Sequence, residues 1–163
     1  MLTSEEALQM ISKSSKRQHS IQVSKIMKYL ANFFQADKTE WEITGLLHDL
    51  DYDLTGDASN QHGVLAASIL GNRVPENIKQ AIRAHHPTTG YNATTLLDRA
   101  LIFADCFAWL IDDQFLLDID SDLVAATKIE AAQKPLIVQK IENFAKVYKV
   151  SLEDIIWSIK SEK

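Results

Sequence analysis

Apolar residues recur at intervals of three and four positions along almost the whole chain, and they rarely alternate with polar residues over the length of a strand. This spacing collects the apolar side chains on one face of an α-helix. We therefore predict an all-α protein that folds as a compact helical bundle. The predicted helices cover residues 4–14, 17–35, 39–49, 60–71, 75–86, 95–115, 122–132, 135–149 and 152–160.

Signals at the starts of several helices support this prediction. Four polar residues are each followed three positions later by an acidic residue, which is the pattern of a helix-capping box. The four pairs are Thr3 and Glu6, Thr39 and Glu42, Thr95 and Asp98, and Ser151 and Asp154. Pro75 stands where a first-turn proline is favoured. Residues 51–59 and 87–94 are polar and irregular, and we predict that they form loops.

The chain length bounds the domain organisation. A chain of 163 residues can bury one substantial core but is short for two ordinary domains. We predict a single domain over residues 1–163. Its motif-bearing core is expected at about residues 17–115, with C-terminal helices at 122–160 packing on that core.

Charge and cysteine content argue against several classes of function. The formal net charge is −5 and basic residues do not cluster, so binding to nucleic acid is not expected. No apolar run is long enough for a membrane helix, and the first residues do not resemble a secretion signal. The single cysteine, Cys106, cannot form an internal disulfide. We therefore expect a cytoplasmic protein without a nucleic-acid or membrane partner.

The distribution of histidine indicates a metal site. All five histidines lie between residues 19 and 86, and three of them, His19, His62 and His85, continue apolar stripes on separate predicted helices. Asp105 interrupts the apolar run from residue 101 to residue 109, so its carboxylate is expected to be buried. Since an unpaired buried carboxylate is costly, Asp105 should either be protonated or bind a cation, and a metal held jointly with the inward-facing histidines is one candidate.

The adjacent pair His48-Asp49 supplies two further candidate ligands. It ends a predicted helix just before an acidic loop, where both side chains can reach one ion. Imidazole nitrogen and carboxylate oxygen suit divalent Mn, Fe, Ni, Co or Zn. Cys106 is a weak candidate nucleophile, because a thiol inside an apolar helix is usually inert.

Simpler interpretations remain open for part of this set. His62 or His85 alone would more often be a core residue, or one that orients another ligand. The set His19, His48, Asp49 and Asp105 is harder to explain without a metal, because several buried ionisable groups would each need a separate partner.

The order His19, then His48-Asp49, then Asp105 resembles the HD superfamily of metal-dependent phosphohydrolases, which is named for the adjacent His-Asp pair. Residues 45–52, with the sequence GLLHDLDY, are similar to the signature of a group of small HD hydrolases. Three further segments match what is expected in that group. They are His62-Gly63 with Ala66-Ala67, Ala81-Ile82 leading to His85, and Ala104-Asp105.

The resemblance implies an HD-type domain that hydrolyses a nucleotide or another small phosphorylated compound with metal-activated water. It implies one or two divalent ions, of Mn, Fe, Ni, Co, Zn or Mg, and the pair His48-Asp49 at the catalytic centre. The implied metal ligands are His19, His48, Asp49 and Asp105, and His62 and His85 are candidates for a second metal position. Because four ligands suffice for one ion, we predict that a second ion uses His62 and His85 and that Asp49 bridges the two. The alternatives are a metal-bearing nucleotide-binding module without turnover, and a structural helical protein with buried His-Asp pairs.

One departure from the family leaves the phosphate-binding residue unassigned. Many HD phosphohydrolases carry a lysine three residues after the aspartate, whereas here Tyr52 stands in that neighbourhood and no lysine is near. The basic candidates are Arg17, Lys25, Arg83 and Arg99, each more typical of a solvated surface charge. His86 and residues 88–91 faintly resemble a cyclic-dinucleotide branch, but Asn92 replaces its proline.

Overall fold

The computed structural model describes residues 1–55, 60–111 and 134–161. Over these ranges it consists of helices and turns without a strand, so the prediction of an all-α fold is confirmed. The α-helices are α1 Ser4–Met10, α2 Arg17–Phe33, α3 Lys38–Leu47, α4 Tyr52–Thr55, α5 Val64–Leu70, α6 Glu76–Ala84, α7 Leu96–Leu110, α8 Lys134–Tyr148 and α9 Leu152–Ser161. Short 3₁₀ helices follow α5 and α6 at Gly71–Arg73 and Pro87–Thr89.

Every predicted helix except one has a counterpart, and the exception, residues 122–132, lies outside the described residues. Helix α1 is shorter than predicted because the chain tightens after Met10, where the Ser12 N–H donates to the Gln9 carbonyl. Helix α5 begins later than predicted because Gly63 adopts a positive φ of 80°, which is not helical. The prediction of a loop at residues 51–59 was wrong for Tyr52–Thr55, which form the single helical turn α4.

Capping explains where most helices begin. Thr3 and Thr95 form the predicted capping boxes, and Ser151 accepts a hydrogen bond from the Asp154 N–H. The prediction for Thr39 was wrong, because the carboxylate of Asp37 caps α3 two residues earlier. Pro75 is the N-cap residue of α6 rather than part of its first turn.

Helix α2 is the centre of the bundle and packs against α3, α7 and α9. Its apolar stripe, Val23, Ile26, Met27 and Leu30, is fully buried. Helix α3 approaches α2 closely at Gly45, where an added Cβ would lie 2.7 Å from the Cα of Ser24. A side chain at position 45 would therefore separate the two helices. These contacts bring the N-terminal turn of α2, the C-terminal end of α3 and the middle of α7 together.

The C-terminal helices extend the same core. Helix α8 packs on α7, and the Phe144 ring stacks on the Phe103 ring with centroids 4.5 Å apart. Helix α9 buries Ile155, Ile156 and Ile159. Within the described ranges, the helices are too short or too polar to cross a membrane.

Candidate metal centre

The structure brings the six predicted ligand side chains into one cluster, although they come from five separate segments. Two of them lie within long helices, His19 in the first turn of α2 and Asp105 in the middle of α7. The other four lie where helices begin or end. These are His48 and Asp49 after α3, His62 before α5, and His85 after α6. The helix ends therefore supply most of the cluster.

The carboxylate of Asp49 lies at the centre of the cluster. Its Oδ1 lies 3.3 Å from Nε2 of His48, 3.1 Å from Nε2 of His62 and 3.6 Å from Nε2 of His85. Its other oxygen, Oδ2, lies 3.9 Å from Nε2 of His19. The two oxygens of one carboxylate thus face different histidines.

Asp105 lies on the more open side. Its Oδ1 lies 3.0 Å from Nε2 of His19 and 3.8 Å from Nε2 of His48. The expectation that Asp105 is buried was wrong in part, because 21% of its side chain remains exposed. Its carboxylate faces His19, which is itself 15% exposed, rather than the apolar core.

The imidazole rings at the ends of α3 and α6 are oriented by their own helices. The Nδ1–H of His48 donates to the Gly45 carbonyl at 2.8 Å, and that of His85 donates to the Ile82 carbonyl at 2.6 Å. A carbonyl oxygen can only accept, so Nδ1 carries the proton in both rings. The Nε2 atoms are then left to face Asp49 as potential metal ligands.

Asp51 orients His62 in the same way, and the sequence reasoning missed it. Its side chain is fully buried, and Oδ1 accepts a hydrogen bond from Nδ1 of His62 at 2.9 Å. Oδ2 accepts hydrogen bonds from the backbone N–H groups of Gly63 and Ala66. In the sequence Asp51 looks like an acid in a polar loop. The available signal was that ligating histidines usually donate their second nitrogen to a carboxylate or carbonyl.

Gly63 connects the segments that carry His62 and His85. It has a φ of 80°, and an added Cβ would lie 2.4 Å from the Ile82 carbonyl oxygen and 3.1 Å from the His85 ring. Both the backbone conformation and the close contact require glycine here. Gly63 is therefore packed tightly against the end of α6.

The charges in the cluster are strongly coupled. Burial disfavours the charged form of His48, but the carboxylates of Asp49 and Asp105 outweigh it and raise its pKa to about 9. Burial is likewise outweighed at His62, where Asp49 and Asp51 raise the pKa to about 9. The three surrounding histidines hold the pKa of Asp49 well below its ordinary value against the effect of burial. Without a metal, protons supply the positive charge that these carboxylates require.

The donor set fits a divalent metal. Nε2 of His48 is buried and has no hydrogen-bond partner within the described residues, although two carboxylates lie near it. Two sets of three residues place their ligand atoms within 4.8 Å of one another. These sets are His19, His48 and Asp105, and His48, Asp49 and His85. Nitrogen and oxygen donors in this proportion suit Mn, Fe, Co, Ni or Zn.

Other residues singled out in the sequence lie outside this donor set. Burial and the neighbouring Asp105 raise the pKa of the Cys106 thiol to about 12, so it is not an activated nucleophile. Arg83 pairs with Glu76, and Arg99 donates to the Tyr148 hydroxyl. These partners are consistent with the interpretation of Arg83 and Arg99 as surface charges rather than phosphate-binding residues.

The fold and the cluster define an all-α protein with a candidate metal centre of histidine and aspartate. A family model described as the HD domain matches residues 17–110, which is more than half of the chain and contains all six candidate ligands. The chain belongs to the HD domain family, and its resemblance to the superfamily of metal-dependent phosphohydrolases is confirmed. No curated protein and no solved structure matches the chain significantly.

Proposed function

We propose that this protein is a metal-dependent phosphohydrolase that acts on a nucleotide or another small phosphorylated compound. The observation that carries the proposal is the cluster around Asp49, in which the buried Nε2 of His48 lacks a hydrogen-bond partner within the described residues. A nitrogen held in that position is costly unless it binds a cation. Membership of the HD domain family supports the same conclusion.

Each group in the cluster has a definite task in this proposal. His48 and His85 present Nε2 to the ion, because their Nδ1 atoms are bound to helix carbonyls. Asp49 and Asp105 balance its charge. A bound divalent ion supplies Lewis acidity, which acidifies water and offsets the charge that develops on phosphoryl oxygens. The buried side of the cluster keeps that charge in a weakly screening environment.

We further propose that two ions bind and that Asp49 bridges them. Asp49 is suited to this because Oδ1 faces His48, His62 and His85 whereas Oδ2 faces His19. His48 has one free nitrogen and can bind only one of the two ions. The competing arrangement has a single ion, with His62 and His85 contacting substrate phosphate or orienting the other ligands.

Metal analysis and a substrate screen test the activity. We expect the purified protein to retain a divalent metal and to release phosphate from at least one member of a panel of nucleotides and dinucleoside polyphosphates supplied with Mn, Co, Ni or Mg. The proposal would be contradicted if the purified protein contained no divalent metal and did not bind any that was added. Metal uptake without phosphate release across the panel would favour the alternative, a nucleotide-binding module without turnover.

A metal titration tests the number of ions. The double variant His62→Ala, His85→Ala removes two imidazoles from one side of Asp49 and should bind one equivalent fewer than the parent. The variant His86→Ala is a matched control. His86 is adjacent to His85 in the chain, but its Nδ1 forms a hydrogen bond with the Thr88 hydroxyl. If the double variant binds as many equivalents as the parent, the second position does not exist.

A further inference from the structure

A lysine that is not among the predicted ligands lies at the rim of the metal centre. The ammonium group of Lys16 lies 4.1 Å from the ring centroid of Tyr52 and 4.4 Å from the ring centroid of Trp109. The Trp109 ring lies 5.5 Å from the His19 ring, and the Tyr52 ring lies 5.9 Å from the His62 ring. Each ring that contacts the lysine therefore also contacts a histidine of the cluster.

The chain holds Lys16 in this place through its neighbours. The backbone N–H and the hydroxyl of Ser15 both donate to the carboxylate of Asp53 in α4. This anchors the segment before α2 next to Tyr52. Trp109 lies one helical turn after Asp105 in α7, so the two side chains occupy the same face of that helix. Trp109 is 49% exposed, which places Lys16 on the open side of the centre.

The positive charge of Lys16 interacts with Asp53, whose pKa it helps to lower, but the two side chains do not form an ion pair. No ion pair joins Lys16 to a carboxylate within residues 1–55, 60–111 and 134–161. The Asp53 carboxylate accepts hydrogen bonds from Ser15, which lower its pKa most, and the charge of Lys16 has a smaller influence on that pKa. Contacts with aromatic faces favour the cation and leave its three N–H donors for another partner. A phosphate group approaching the carboxylates of Asp49 and Asp105 is repelled by them, and a cation at the rim offsets that repulsion.

We propose that Lys16 binds the phosphoryl oxygens of the substrate, and that Tyr52 and Trp109 position its ammonium group over the open side of the metal centre. This inference rests on the proposed function, because it assigns a contact for the phosphate of that substrate. Lys16 is then a binding residue, and Trp109 is a positioning residue that acts through it.

Titration with inorganic phosphate tests the role of Lys16 without requiring a known substrate. Lys16→Met removes the charge and keeps a long apolar stem, whereas Lys16→Arg keeps the charge. Lys13→Met is the matched control, since Lys13 is an exposed lysine three residues earlier. In calorimetry on the metal-loaded protein, Lys16→Met should weaken phosphate binding about tenfold or more. Lys16→Arg should retain most of the affinity, and Lys13→Met should match the parent.

The aromatic positioning is tested with the same probe. Trp109→Leu should weaken phosphate binding about threefold, since a single exposed cation–π contact has a modest energy. Trp109→Phe should bind phosphate almost as tightly as the parent, because phenylalanine keeps an aromatic face for the ammonium group. A purely structural role of Trp109 would instead lower the melting temperature of both variants without this difference in phosphate affinity.

The outcomes separate this inference from the proposed function. Equal phosphate affinity of Lys16→Met and Lys13→Met would overturn the inference, as would a metal-loaded parent that does not bind phosphate. Metal content is measured on the same samples, and a parent that takes up no metal contradicts the proposed function instead. In that case the titration on metal-free protein still decides the role of Lys16 through the difference between the two methionine variants.

Discussion

The two sides of the metal centre differ in how the protein holds them. On the inner side, His48, His62 and His85 are buried, and each Nδ1 is bound by a backbone carbonyl or by Asp51. On the outer side, His19 and Asp105 are partly exposed and lie near the half-exposed ring of Trp109. The difference indicates that the inner side fixes the orientation of the candidate ligands, whereas the outer side is open to solvent.

The largest effect is expected from Asp49→Ala, because Asp49 is the group that both sides share. The variant should lose metal retention and activity while keeping its helix content, since Asp49 lies after the end of α3 rather than within a helix. Elemental analysis and far-UV circular dichroism measure this. Glu5→Ala, an exposed carboxylate in α1, is the control. Unchanged metal content in Asp49→Ala would falsify the assignment.

Asp51→Asn tests the inner side without removing a ligand. An amide can still accept from the Gly63 and Ala66 N–H groups but no longer provides the charge that fixes the ring of His62. Metal affinity should fall about tenfold to a hundredfold, as is usual when a carboxylate behind a ligating histidine is lost. Titration with a competing chelator measures the affinity. A variant that binds metal like the parent would remove Asp51 from the site.

Gly63→Ala tests how closely the inner side is packed. The residue has a φ of 80° and its Cβ would collide with the Ile82 carbonyl, so we expect a loss of at least about 2 kcal/mol in the free energy of unfolding. Gly90 has the same φ of 80° but open space around it, so Gly90→Ala should cost only about 1 kcal/mol. Urea unfolding of the metal-free proteins gives both values. Equal losses would show that the contact with α6 is unimportant.

Asp105→Asn probes the outer side and should have a smaller effect than either aspartate variant above. The amide keeps one acceptor, and water can reach the position because 21% of the Asp105 side chain is exposed. Metal affinity should fall, while the helix content and the fold persist. The same chelator competition compares it with Asp51→Asn. A metal affinity equal to that of the parent would remove Asp105 from the candidate ligands.

The smallest effect is a dependence on pH in the metal-free protein. His48 and His62 have folded-state pKa values of about 9, above the ordinary value of 6.5. Between these two values the folded protein therefore binds more protons than the unfolded chain. The contribution of these protons to the free energy of unfolding is lost as pH rises through that window. Melting temperature should fall from pH 6.5 to pH 9, and metal affinity should rise as the protons leave. A melting temperature that rises over this range contradicts the coupling.

The sequence predicted the parts of the site that have a local pattern. His19 and Asp105 could be placed because apolar residues surround them at helical spacing, and His48-Asp49 through its resemblance to a known motif. His62 was expected to continue the apolar stripe of a helix, but it lies before α5 begins. Asp51 and Lys16 have no such local signal. Asp51 becomes buried only when α5 folds over it, and Lys16 meets Trp109 only after α2 and α7 pack together.

Helix boundaries show the same limit. The turn of α4 was not predicted because it depends on the Asp51 carbonyl, which accepts from the N–H groups of Leu54 and Thr55, rather than on an apolar stripe. The start of α5 depends on the positive φ of Gly63, which the sequence permits but does not require. Local hydrogen bonds and backbone torsion angles, rather than apolar stripes, decide these boundaries.

The close approach of α2 and α3 at Gly45 has a consequence for the geometry of the cluster. His19 lies five residues before Ser24, and His48 lies three residues after Gly45, so the interaxial distance at this contact sets the span between two ligand nitrogens. The spacing of two candidate ligands is therefore set partly at a backbone contact outside the cluster, and a methyl group at position 45 would increase the separation of His19 and His48.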